Sequence, residues 1–132
     1  MNLRRTRFRH TIAALAITLM ALPGLAHALD YVEGFDALPL MPGLAPSAAG
    51  SLIFDKPDGR ILEAVLIGQV SASDTFSYYE PTLRSLGWEA VDESGAERHY
   101  RRGVENLQLL YQEGAGTAPA QLILRLNPAP AN

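Results

Sequence analysis

Between Ser71 and Trp88 the large apolar residues fall at Phe76, Tyr79, Leu83 and Leu86, with mostly polar residues between them. Spacings of three, four and three put all four on one stripe of a helix with a period of about 3.6 residues. Ser71 with Asp74 three residues on has the form of a capping box: the serine oxygen accepts from a free first-turn amide and the acid reaches back. Asp74 also suits the positive end of the helix dipole. Gly87 suits the left-handed position just past a helix end. Tyr78 and Ser85 fall away from the stripe. Pro81 conflicts with the pattern, because it removes one hydrogen bond and crowds the Ser77 carbonyl, so a kink or a break into two short turns is expected there.

Elsewhere the period is two. Ser51–Asp55 reads as a strand, 56–59 (Lys-Pro-Asp-Gly) as a turn, and Arg60–Val70 as a second strand, together a hairpin. The second strand is apolar on both faces, with Ile61, Val65 and Ile67 on one and Leu62, Ala64, Leu66 and Val70 on the other. Such strands are usually covered on both sides. One helix covers one side, so the other calls for residues 35–44, another subunit or a partner protein. After the helix, 88–92, 97–102, 107–112 and 121–127 read as strands separated by Gly-containing turns. Leu107, Leu109 and Tyr111 share one face, as do Leu122, Leu124 and Leu126. The order β-β-α-β-β-β-β predicts a two-layer α+β domain: a mainly antiparallel sheet of five to six strands with one long helix on it.

The N-terminal 28 residues have a different pattern. Arg4, Arg5, Arg7 and Arg9 precede an apolar run from Thr11 to Leu22, and Ala26-His27-Ala28 is a small-x-small cleavage sequence. This is the organisation of a secretory signal peptide, with Ala26 and Ala28 at the cleavage site. The apolar run is short of the roughly 20 residues of a membrane span. The expectation is export to the periplasm, with secretion as the alternative, and no stable membrane span after cleavage. The domain reading is therefore signal peptide 1–28, Pro/Ala-rich extended segment 29–50, α+β domain 51–127 and disordered tail 128–132. Within the second of these, Pro39, Pro42 and Pro46 forbid a continuous helix. Phe35, Leu38, Leu40, Met41 and Leu44 make it richer in large apolar residues than a linker needs. The expectation is that 35–44 lies extended across the domain or docks on a partner.

Charge sharpens this picture. The whole chain has 11 basic and 14 acidic residues, net −3. Cleavage would remove four arginines and no acid, leaving 7 basic and 14 acidic residues, net −7. A chain this acidic is not built to coat nucleic acid or anionic lipid. It has no cysteine, so even in an oxidising compartment its stability rests on packing.

The residues also resemble a group of small exported bacterial proteins, largely uncharacterised in function. In these, a D-G-R-I strand start is followed by a helix ending in F-Y-x(n)-L-x-x-L-G-W, then by a Y/F-x-R strand and leucine-rich strands. The matching pieces here are Asp58-Gly59-Arg60-Ile61, Tyr78-Tyr79, Leu83, Leu86-Gly87-Trp88 and Tyr100-Arg101-Arg102. They span about 39–128, with Tyr78 where the pattern has Phe and Pro81 interrupting the helix. The resemblance implies a periplasmic or secreted location and brings no catalytic residues with it.

The remaining chemistry is sparse. His99 is the one histidine after position 28, so a zinc, copper or haem site of the usual ligands is not expected, nor any cofactor. Asp92, Glu93 and Glu97 cluster at a turn without the spaced loop of a calcium site, and read as solvated. G-x-S-x-G and S-x-x-K motifs are absent, and Gly114-Ala115-Gly116 lacks the helix and lysine of a phosphate loop. Glu63 is the one acid set among apolar residues; an edge position or a salt bridge with an arginine accounts for it. Residues 98–102 (Arg-His-Tyr-Arg-Arg) form the one basic cluster, with Arg98, Tyr100 and Arg102 on one strand face and His99 and Arg101 on the other. Its plain reading is a charge-guarded edge strand; its sharper one is a docking site for an anionic partner. Candidate interaction residues are Tyr78, Arg98, His99, Arg101 and Arg102. The leading expectation is a non-enzymatic exported module that binds another envelope protein or itself. The alternative is a small-molecule or lipid binder with a pocket between helix and sheet, lined by Phe76, Tyr79, Trp88 and Tyr111.

Overall fold

A computed structural model describes residues 29–130. The signal-peptide reading of 1–28, with its cleavage residues, lies outside the described residues. Six strands and one helix follow in order: β1 (Leu44–Lys56), β2 (Gly59–Gly68), α1 (Ala72–Ser85), β3 (Glu89–Asp92), β4 (Glu97–Arg102), β5 (Glu105–Gln112) and β6 (Ala120–Pro128). They form one antiparallel sheet of spatial order β1-β2-β6-β5-β4-β3, with α1 packed on one face. Among the described residues, the α+β architecture, the element order and the one helix are those the periodicity predicts.

The helix begins where its cap is made. Ser71 has extended backbone, and its Oγ accepts from the Asp74 amide at 3.0 Å. Thr75, fully buried, turns its hydroxyl back to the Ser71 carbonyl at 2.7 Å. The far end is closed by two reversed bonds, Trp88 N–H to Leu83 O and Gly87 N–H to Arg84 O, with Gly87 at φ +84°. That pairing needs a left-handed residue at position 87, which glycine supplies without a Cβ penalty. Between the ends, the helix runs through Pro81 without breaking in two, contrary to one sequence expectation. Pro81 and Ser77 both lie exposed, so water can satisfy the carbonyl that proline leaves free.

The stripe Phe76, Tyr79 and Leu83 faces the sheet and meets Leu62, Ala64, Leu66, Tyr100, Leu107, Leu109, Leu122, Leu124 and Leu126. Tyr78 does not fall away as its position suggested. It is half-buried against the core, edge-on to Tyr79 at 5.1 Å between ring centroids.

Several boundaries and placements differ from the sequence reading. The segment 29–50 is not one extended stretch, and residues 35–44 pack on the chain's own domain in a turned rather than an extended form. Its last part, Leu44–Gly50, is the first half of β1, and Leu44, Ala45 and Pro46 pair with Gly68, Ile67 and Leu66. Before it, residues 29–43 fold into turns and bury Val32, Phe35, Leu38 and Met41 in the same core as the helix. Burial of four large side chains outweighs a linker-like composition. Gly68 marks the close approach: a Cβ there would lie 1.9 Å from the Gly43 carbonyl oxygen. At the other end, Pro128 belongs to β6 and Ala129 N–H bonds to Val104 O at 2.7 Å, so the first residues of the expected tail are tied down. Finally, β4 is not an edge strand. The short β3 lies outside it and takes that role.

Candidate functional site

The segment 29–43 lies on the same side of the sheet as α1, so it does not cover the second face of β2. Among the described residues that face stays open. Its side chains run in rows set by the strand register. One row crosses all six strands as Leu52, Glu63, Arg125, Gln108, His99 and Asp92. A neighbouring row holds Val65, Ile123, Leu110 and Glu97. Phe54 pairs with Ile61 on the other flank. The apolar members therefore gather at the β1–β2–β6 end and the polar ones toward β4 and β3.

At the apolar end, β1 leaves three consecutive large residues in solvent: Leu52 at 52%, Ile53 at 46% and Phe54 at 53% exposure. Alternation explains why they cannot all be core. Leu52 and Phe54 point to the open face, and Ile53, opposite Leu62, points to the helix side. There Ile53 lies beside Gly34 of the covering segment. Leu52, Phe54, Lys56, Ile61, Glu63 and Arg125 border an open hollow of about 430 Å³. Glu63 Oε2 accepts from Arg125 Nε at 2.6 Å, so the acid singled out in the sequence is held by a neighbouring arginine. This is the salt bridge that accounts for its place in an apolar strand.

The basic cluster divides between the two faces, as its alternation requires. On the helix side, the Arg98 guanidinium stacks 3.9 Å over the Phe76 ring and its Nε donates to Glu80 at 3.1 Å. Arg102 stacks 4.4 Å over Trp88 and donates to the Leu86 carbonyl and Glu105. Each such stack contributes about 0.5–1 kcal/mol where solvent reaches it. Arg98 and Arg102 are thus engaged in holding helix to sheet, while Tyr78 packs on Tyr79 and the core. His99 and Arg101 remain on the open face, with His99 Nε2 at 2.8 Å from Glu97 Oε1. They border a second hollow of about 310 Å³ with Val91, Asn106, Gln108 and Asn127. The five candidate residues thus do not converge on one site.

The acids of the 92–97 turn are likewise taken singly. Asp92 accepts from the Ser94 amide and hydroxyl, and these bonds hold its carboxyl below the usual range. Glu93 accepts from Tyr100 Oη and pairs with Arg84, and Glu97 accepts from Gln108. Burial, and then the bond to Glu93, pushes the Tyr100 hydroxyl up. Burial pushes Tyr79 up to about 12.

The aromatic residues expected to line a helix–sheet pocket are core instead. Phe76 meets Tyr111 edge-on at 6.3 Å, and Tyr111 Oη donates to the Val70 carbonyl at 2.8 Å. Phe76, Tyr79, Trp88 and Tyr111 line neither of these hollows, nor a third of about 310 Å³ between Gly59 and Val104. Sequence reasoning placed residues 51–55 in a strand but missed Leu52 and Phe54 as surface. The signal was three large apolar residues in a row, which a strand covered on one side cannot bury. No known protein family, curated protein or solved structure matches the chain.

Proposed function

We propose that this chain is an exported, non-enzymatic interaction module of the cell envelope that binds another polypeptide through the sheet face and the β1 edge that are left uncovered among the described residues. The observation that carries the reading is the exposed run Leu52-Ile53-Phe54 on a 13-residue edge strand. Full burial of such a side chain contributes about 1.5–3 kcal/mol, so covering the exposed half of each contributes about 1 kcal/mol apiece. Unpaired edge amides and carbonyls add hydrogen bonds when an extended segment docks. Export draws its support from the N-terminal basic and apolar pattern with the Ala26-His27-Ala28 sequence.

A small-molecule or lipid reading draws on the 430 Å³ hollow, which falls within the usual size of ligand sites. It moves the site from the helix–sheet interior to the opposite face.

The test is site-specific photo-crosslinking in cells expressing the whole chain, with the reactive group at Phe54 or, as a control, at the exposed Ser77 of the helix. A discrete protein adduct from position 54 alone is expected. Equal adducts from both positions, or none from position 54, would overturn the reading.

A further inference from the structure

From the edge geometry we infer that the polypeptide bound at β1 is a second copy of this chain, paired antiparallel about a two-fold axis at Ile53. The inference rests on the interaction reading above and names its partner. Residues directly opposite in an antiparallel pair share a face. A two-fold at Ile53 sets Ile53 against its own copy and Leu52 against Phe54 of the partner, twice. All three exposed apolar residues then meet apolar residues. Asp55 falls opposite Ser51 and Lys56 opposite Gly50, so no like charges face each other.

The neighbouring registers are poorer. An axis at Asp55 stacks two carboxylates and sets Lys56 against Phe54. One at Phe54 sets Asp55 against Ile53 and Lys56 against Leu52. An axis at Leu52 leaves Phe54 against Gly50 and Ile53 against Ser51. The strand is regular over the heart of the pairing, since Ser51–Asp55 pairs with β2 without a shift, and the irregularity between Pro46 and Ser51, with Gly50 at φ +74°, touches only the outermost Lys56–Gly50 positions. The run 47–54 carries no charged side chain, which suits self-pairing in a chain that is otherwise acidic. The opposite edge, β3, offers four residues, two of them acidic. Pairing at β1 joins the two sheets into one of twelve strands and makes the open faces continuous, with Phe54 and Leu52 at the seam.

The absence of native cysteine makes a direct test available. Ile53→Cys is introduced into the whole chain, purified from expressing cells and mildly oxidised, beside a Val104→Cys control on an exposed turn. Opposed residues in a sheet lie within disulfide reach. A disulfide dimer from position 53, at least tenfold faster than from position 104, is expected. The unsubstituted protein is expected to double in sedimentation mass as concentration rises. Ile53→Lys, which sets two ammonium groups face to face, is expected to sediment as a monomer with unchanged circular dichroism. A monomer at every concentration, or equal crosslinking from positions 53 and 104, would overturn self-pairing. A heterologous adduct from Phe54 in that case would leave the interaction reading standing, and its absence would remove both.

Discussion

The Tyr79 hydroxyl accepts from the Met41 amide at 3.1 Å and donates to the Pro39 carbonyl at 3.2 Å. One helix side chain thus fixes the covering segment ahead of β1. Tyr79→Phe keeps the ring and leaves the buried Met41 amide without its partner. An unmatched buried donor costs about 1–3 kcal/mol. Urea unfolding should show that loss with little change in slope, and amide exchange across 38–41 should quicken.

The same tyrosine sets an alkaline limit. Its hydroxyl is raised from 10.0 to about 12 by burial. Below pH 10 both folded and unfolded forms hold the proton, and the full stability is present. Above it the unfolded chain ionises first, so stability falls from pH 10 until the folded form also ionises near 12. Two pH units correspond to about 3 kcal/mol at most. Tyr100, raised in the same direction, adds to the loss. Denaturant midpoints measured from pH 9 to 12 should decline, and Tyr79→Phe should flatten the decline.

Gly68 and Gly95 separate two kinds of glycine requirement. An alanine Cβ at Gly68 meets the Gly43 carbonyl oxygen at 1.9 Å, backbone against backbone. Gly68→Ala should cost about 3 kcal/mol or more and loosen the first half of β1. Gly95 has open space but φ +62°, so Gly95→Ala should cost about 1 kcal/mol from the backbone alone. Thermal unfolding of the two variants checks the order.

Core and surface leucine-type residues should respond oppositely. Leu124 is fully buried, and Leu124→Ala should lose about 2–5 kcal/mol. Phe54, half in solvent, should lose only about 1 kcal/mol with Phe54→Ser, the share of its burial made within the chain. Association measured by sedimentation should instead fall with Phe54→Ser. A large stability loss there would mark Phe54 as core.

The Glu63–Arg125 pair is over a third exposed on both sides. A double-mutant cycle with Glu63→Gln and Arg125→Gln should give a coupling below about 1 kcal/mol, weakened by added salt.

The sequence by itself determined the helix, its Ser71 cap and Gly87 stop, the hairpin at 56–59, and which leucines of β5 and β6 face inward. Each depends on hydrogen bonds or side-chain periodicity within about ten neighbouring residues, and those are printed in the chain order. Only the tertiary structure decided where residues 29–43 lie, that Arg98 and Arg102 stack on Phe76 and Trp88, and that β4 is interior. It also decided that Leu52 and Phe54 remain in solvent. These turn on contacts between distant residues, such as Tyr79 with Met41 and Tyr111 with Val70. A strand that is apolar on both faces states that two covers would be favourable. Which cover comes from the chain itself depends on how a proline-rich segment returns to the core, and local pattern does not carry that.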